Sequence, residues 1–420
     1  GLGDVYKRQL HNVSMRYTAP FGLDIGLDYT HYDNPETASL TNNYTDAQAT
    51  SFDIVSGQRI DRLNATIDQS HTFDSGWQIT GGGAFAFSSS HDWQHYTILE
   101  GNPVTTDTDS RLDEYTGNIY LGTGRQFSRA GFSLSLAGEY YRLGDYENWS
   151  LYPQASFNWM PSDRHIVQLN FSSDKSYPSY WEMQGAVSYI DGYSEIHGTK
   201  GLRPSRSYEA QAVYIYRQKY IFVLFWNGMP DYFVQAAWQA SDRPALIYQT
   251  LNWNMNRHLG VNAVIPFRIG KWLDSRLTLT GIHMRQRCDQ FHDLSFDRTK
   301  WVAVARLENT FHLSSKPDLS LEINGSFQSK AIQGTFDIDP LGSVDAALKW
   351  TFAGKRASLS VRCDDIFETS SPYTRIRYRG QWLDMGSSHY TRTTTINFSY
   401  RFGGYKERKH KEVDTSRFGH

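Results

Sequence analysis

From Leu10 to Phe402 the chain repeats one pattern: a segment of about 10 to 15 residues alternates apolar and polar positions, a turn follows, and a second such segment returns. In one such segment Leu319, Leu321, Ile323 and Phe327 alternate with Ser320, Glu322, Asn324, Ser326 and Gln328. The same holds for Leu23, Ile25, Leu27 and Tyr29, for Phe132, Leu134, Leu136 and Tyr140, and for Val344, Ala346, Leu348, Trp350 and Phe352. A period of two places each apolar set on one face of a β-strand. Two stretches depart from it: Tyr220 to Trp226 is apolar on both faces, and Trp301 to Ala305 is mixed.

The connections alternate as well. Short polar turns fall near Ala19–Gly22, Asp74–Gly76, Ser128–Gly131, Pro161–Arg164, Arg217–Lys219, Gly270–Ser275, Ser314–Asp318 and Gly354–Arg356. Between them lie mostly longer connections, over 33–57, 95–112, 144–148, 176–205, 229–246, 290–298, 331–341 and 370–389. Tight turns at one end and long loops at the other are the rule for membrane β-barrels. The pattern predicts about 17 antiparallel strands. Soluble β-proteins use strands of about five or six residues, whereas several here run past ten, and no blade motif repeats. The fold class is therefore all-β, an antiparallel transmembrane barrel over 10–402.

Composition agrees. The 420 residues would suggest two or three soluble domains, but a barrel grows by adding strands to one sheet. Mean hydropathy is -0.56, and no run of about 18 uncharged apolar residues is present to span a bilayer as a helix. Aromatic residues make up 15%, and Tyr and Trp favour membrane interfaces and sugar- or peptide-binding surfaces. A net charge of -2 gives no case for a nucleic-acid partner. Cys288 and Cys363 have no metal spacing; they read as two separate strand positions in preference to a disulfide. Gly1 to Gln9 follows no periodicity and reads as an adapter-like segment outside the fold. Residues 403–420 read as a polar tail, basic from Lys406 to Lys411 and solvated.

Chemistry-bearing motifs are lacking. There is no GxSxG, HExxH, Walker or dinucleotide fingerprint, and the 14 histidines are scattered. The chain reads as a non-enzyme, with no cofactor and no metal. The acidic residues Asp107, Asp109, Asp113 and Glu114 lack the glycine and closing glutamate of a calcium loop and read as a solvated acidic loop.

Three segments resemble the TonB-dependent receptors of the outer membrane, in their Bacteroidetes form. Asp174 to Trp181, running into Gly198 to Ser205, is similar to the family's loop ending in Gly-Asn-Pro-x-Leu-Lys-Pro, with Thr199, Lys200 and Arg203 departing from it. Cys363 to Phe367 resembles the Asn-Asp-[Ile/Leu]-Phe element near the end of the penultimate strand. Ile396 to Phe402 with Gly403 and Gly404 is similar to the closing strand, where Phe398, Tyr400 and Phe402 would form the signal read by the barrel-assembly machinery. The resemblance implies a barrel of 22 strands behind a plug domain, of which this chain holds roughly the last 17, with the plug absent. It also implies partners: outer-membrane lipid, the TonB complex acting through a missing N-terminal region, and a nutrient ligand. An odd strand count and unpaired edges lead to the expectation that the chain alone forms no normal closed pore.

The long connection over 176–205 is the binding candidate. It offers Tyr177, Tyr180, Trp181, Tyr189 and Tyr193 with Arg203, and such rings beside polar groups suit sugars, peptides and siderophore-like ligands alike. Equally, they read as interfacial girdle or loop braces. The implied function is import of a bulky nutrient by loop capture and plug gating in the bacterial outer membrane. The alternative is a non-transporting barrel, an adhesin or porin-like protein.

Overall fold

The computed structural model describes residues 8–43, 48–101, 105–386 and 390–402. It is built of strands: β1 (Gln9–Thr18), β2 (Leu23–Asn42), β3 (Thr50–Thr72), β4 (Trp77–Glu100), β5 (Thr108–Gln126), β6 (Ala130–Leu143), β7 (Tyr146–Ser162) and β8 (His165–Ser176). A small hairpin follows, β9 (Val187–Asp191) and β10 (Ser194–His197). Then come β11 (Ser205–Tyr216), β12 (Tyr220–Gln239), β13 (Leu246–Ile269), β14 (Leu273–Phe291), β15 (Leu294–Ser315) and β16 (Asp318–Gln328). The last part contains β17 (Ala331–Gln333), β18 (Phe336–Ile338), β19 (Leu341–Phe352), β20 (Ala357–Asp364), β21 (Tyr373–Tyr378), β22 (Gln381–Gly386) and β23 (Thr393–Tyr400).

Leaving aside β9 and β10, the 19-stranded sheet is one antiparallel meander of 17 strands, each paired with the next along the chain. The eight short turns fall where the alternation predicts them. Four of the longer connections, at 33–57, 95–112, 229–246 and 290–298, are instead largely strand, with β2 and β3 in register from Leu23↔Gln69 to Asn42↔Thr50. These extensions rise beyond the apolar band. Where both faces of a strand are polar the hydropathy loses its period of two, yet the ladder hydrogen bonds persist. Gln9 pairs with Asp33, so β1 reaches into the segment read as adapter-like. Residues 1–7 and 403–420, with the basic stretch Lys406 to Lys411, lie outside the described residues.

The sheet is curved. Tyr32 on β2 and Phe233 on β12 pack in one cluster with Tyr180, Met183 and Leu202. Laid flat, the eight strand spacings between β2 and β12 would span ~38 Å at about 4.8 Å each, farther than those side chains reach. The sheet therefore wraps around the 177–204 connection, which defines its inner face. Among the described residues no ladder joins β1 to β23.

The outer face is apolar and exposed. Leu121 opposes Leu136, which opposes Pro153; Ile119 is 74% exposed and Leu121 66%. A contiguous surface of this kind belongs in lipid. Aromatic contacts mark its lower edge near the short turns, Trp77–Phe132 at 5.6 Å, Trp272–Phe311 at 6.0 Å and Phe352–Phe398 at 6.4 Å. Others mark the upper edge, Phe87–Tyr115 at 4.9 Å, Tyr140–Trp149 at 5.1 Å and His283–Trp301 at 4.9 Å. Trp149 and Trp159 sit on the same strand in these two belts, which at about 3.3 Å per residue and a tilt near 40° puts the belts ~25 Å apart, the height of a membrane apolar band. The doubly apolar stretch on β12 divides accordingly. Phe222 and Leu224 face outward, while Ile221 and Val223 lie on the inner wall opposite Ile215 and Val213.

Above the membrane β12 and β13 are packed on both faces. One face carries the 177–204 connection. The other carries a four-stranded sheet made of β17, β18, β21 and β22, whose Phe336 and Ile376 join Trp253, Phe291 and Phe296 in a buried core. Cys288 lies in that core, and both cysteines are free.

Candidate functional site

The 177–204 connection is held in place by buried polar anchors. Tyr141 and Tyr180 both donate their hydroxyls to the Glu114 carboxylate. Tyr177 and Lys175 both donate to Glu139, each at 2.9 Å, and the Lys175 ammonium sits 4.4 Å from the centre of the Tyr141 ring. Burial first, and the neighbouring Glu139 carboxylate second, push the Tyr177 phenol far up, so it stays a donor. Glu182 takes two hydrogen bonds from Ser179 and one from Thr250, all at 2.9 Å. Arg203 and Asn252 exchange backbone-to-amide bonds at 2.8 and 2.9 Å, and the Arg203 guanidinium reaches Asp231 at 2.9 Å. The segment therefore spans from β5 and β6 across to β13.

The β9–β10 hairpin docks separately. β10 runs parallel to the start of β13, and Glu195 accepts from Arg243 at 2.7 Å and lies 2.7 Å from the His197 ring nitrogen. Burial alone would raise the Glu195 carboxyl, but Arg243 and His197 outweigh it and hold it below its ordinary value. Tyr189 packs edge-on against Phe52 at 5.4 Å, and burial with the nearby Glu195 pushes its phenol up to about 12.

Between this segment and the inner face of β2, β3 and β4 lies a cavity of about 600 Å³. Of the residues singled out in the sequence, Tyr177, Trp181 and Tyr189 line it. Tyr180 does not; it is fully buried as an anchor. Tyr193 is exposed in the turn between β9 and β10, and Arg203 is exposed and paired with Asp231. The opposite wall, Asn34, Glu36, Ser56 and Gln94, went unnoticed in the sequence. Those residues are ordinary polar positions of strands, 80 to 150 residues from the loop, and nothing local marks them.

The acidic residues after β4 do not converge. Asp107 accepts from the Tyr96 backbone, Asp109 faces His91, and Glu114 is the tyrosine anchor. Among the described residues no group of three or more His, Cys, Asp or Glu is placed to hold a metal. Phe398 and Tyr400 lie on the exposed outer face of β23, with Phe402 following it.

The sequence model of the outer membrane protein beta-barrel family matches residues 22–400. No curated protein matches the chain. Among solved structures, the pyoverdine outer membrane receptor FpvA of Pseudomonas aeruginosa is similar, with a TM-score of 0.57 at 12% identity over 95% of this chain and 62% of the receptor. The FpvAI–pyocin S2 complex gives 0.56 at 12% identity over 94% of this chain and 57% of that one. The apoprotein form of the FrpB iron transporter of Neisseria meningitidis gives 0.55 at 11% identity, over 96% and 73%. The chain thus spans 57 to 62% of the length of the first two of these structures, and at such identities the likeness is one of fold. With nearly the whole described sheet inside the family match, the chain belongs to the outer membrane protein beta-barrel family, and its place is the bacterial outer membrane.

Proposed function

We propose that this chain is the wall and capture loop of an outer-membrane importer of the TonB-dependent type, taking up a bulky nutrient. The supporting observation is the 177–204 segment folded inside the curved sheet, where it forms a cavity together with the wall. A purely structural barrel has no need of a preformed, aromatic-lined cavity at its outer mouth. In this reading the ligand enters from outside, is held against Trp181 and Tyr189, and is released inward by rearrangement of a plug driven through the TonB complex. Residues 10–402 act as one barrel unit, and Phe398, Tyr400 and Phe402 present the closing strand to the barrel-assembly machinery.

The test is a deletion strain complemented with the intact gene or with a version in which 178–203 is replaced by a short Gly-Ser turn. Growth on single nutrient sources and uptake of labelled ligands are then compared. The reading expects a ligand-specific defect restored only by the intact gene. A strain with no uptake defect on any source points instead to a non-transporting barrel.

A further inference from the structure

Resting on the capture reading above, we propose that the cavity between the 177–204 segment and β2–β4 binds a neutral, hydroxyl-rich ligand, an oligosaccharide segment, and selects against anionic metal chelates. Its volume of about 600 Å³ falls in the ~300–1,000 Å³ range of small-ligand sites. The chemistry of its walls narrows the class.

First, the donors and acceptors are uncharged or acidic. Gln94 exposes only 6% of its surface, yet among the described residues its amide has no hydrogen-bond partner, and it borders the cavity. Asn34, Glu36 and Ser56 on the wall, and Ser188 on the loop, also make no side-chain hydrogen bond to another described residue. Amides, hydroxyls and a carboxylate can each accept from or donate to sugar hydroxyls in pairs. Second, the Trp181 and Tyr189 rings supply apolar faces for the C–H side of a pyranose, and the Trp181 indole nitrogen is likewise unpartnered among the described residues.

Third, among the described residues no Lys, Arg or His lines the cavity. Three cations of the surrounding structure are engaged by carboxylates, Lys175 by Glu139, Arg243 by Glu195 and Arg203 by Asp231, while the Lys200 stem lies beside Gly185, behind the lining residues Gln184 and Ala186. An anion entering here would give up its hydration and meet Glu36 and Glu182 without a compensating charge. Fourth, hydroxyl and amide groups continue inward. Tyr177 also borders a second cavity of about 390 Å³, and that one shares Thr80, Ser135 and Gln154 with a third of about 380 Å³ reaching Gln78. This wall, on β4 to β8, is largely hydroxyl and amide, and the charged groups at the second cavity are Asp174 and the mutually paired Lys175 and Glu139. The inner wall opposite, on β11 to β13, carries Val213, Val223 and Val264. An uncharged polyhydroxylated solute finds hydrogen-bonding groups all along the first wall.

The experiment is titration calorimetry on the full-length protein in detergent micelles. The probes are maltohexaose and cellohexaose as neutral oligosaccharides, tetragalacturonate as an anionic one, and ferric enterobactin as an anionic chelate. The proposal expects one of the neutral hexasaccharides to bind, and Trp181→Ala to weaken it by about tenfold or more, while Trp181→Phe largely retains binding. Glu36→Lys is expected to weaken the neutral ligand and to admit tetragalacturonate. Heat-modifiable mobility on gels confirms that each variant is folded.

Trp181-dependent binding of ferric enterobactin or tetragalacturonate by the unaltered protein overturns the proposal. So does the failure of both neutral probes, or neutral binding indifferent to Trp181→Ala. The outcomes separate from those of the transport reading. Neutral-sugar binding without any uptake defect in the deletion strain sinks transport alone, and uptake of an anionic ligand dependent on Trp181 sinks this proposal alone.

Discussion

The Tyr180 hydroxyl donates to the carboxylate of Glu114, 66 residues earlier in the chain, and ties the 177–204 segment to the inner wall. Tyr141 donates to the other oxygen of the same carboxylate, and both Tyr180 and Glu114 are buried. Removing one donor from a buried carboxylate costs about 1–3 kcal/mol. Tyr180→Phe keeps the ring in its apolar cluster and should loosen only the segment. The expected result is faster hydrogen–deuterium exchange over 177–186, with the β5 and β6 strands unchanged. Unaltered exchange in the segment would show the bond to be dispensable.

Lys175 and Glu139 form a pair in which both side chains are at most one-tenth exposed. Breaking such a pair from one side leaves a buried charge and costs about 3–5 kcal/mol, whereas replacing both with apolar residues is nearly neutral. Lys175→Met should lower the thermal midpoint of the protein in detergent, and adding Glu139→Leu should recover most of the loss. A loss in the double variant equal to the sum of the losses in the two single variants would mean that the two groups do not act as a pair.

Docking of the β9–β10 hairpin should depend on pH. The Glu195 carboxyl is held below its ordinary value of 4.5, chiefly by Arg243 and His197 acting against burial. A depressed folded-state value contributes stability that is present above 4.5 and is lost as pH falls through the folded-state value. Exchange protection over 194–197, corrected for intrinsic rates, should therefore be constant near neutrality and decline only below about pH 4.5. Glu195→Gln should show weaker protection at pH 7 and no such decline.

Gly334 carries the small four-stranded sheet onto β13. Its φ is +56°, a side chain there would come within 2.9 Å of the Trp253 indole, and its N–H donates to the buried Gln286 at 2.7 Å. Gly334→Ala meets both backbone strain and a collision with a fully buried ring. It should lift β17 and β18 from Trp253 and open this region to limited proteolysis while leaving the heat-modifiable barrel intact.

The outer and inner faces make opposite demands on charge. Leu121 lies in the row with Leu136 and Pro153, midway between the belts marked by Trp149 and Trp159. Leu121→Arg should cost about 2–4 kcal/mol at this depth. Ser135→Arg, on the neighbouring inner position, should cost far less. Refolding into lipid vesicles with urea titration measures both. A larger loss at Ser135 would reverse the assignment of the faces.

The sequence by itself determined the strand meander, its short-turn ends and its membrane face, because each of those is written in a local period. Leu319, Leu321 and Ile323 must share a face whatever else the chain does, and lipid demands that the shared face be apolar. Parts of the extended strands above the membrane left no such mark, since polar residues on both faces, as at Asp33, Asn34, Glu36 and Thr37 in β2, carry no period. The tertiary structure alone decided which loop aromatics serve as anchors and which face a cavity. Tyr177, Tyr180 and Trp181 are neighbours of similar character in the chain, yet Tyr180 meets Glu114 while Trp181 meets open space. That difference depends on the curvature that brings β2 and β12 around one segment, and closure over such separations in sequence is invisible to any local pattern.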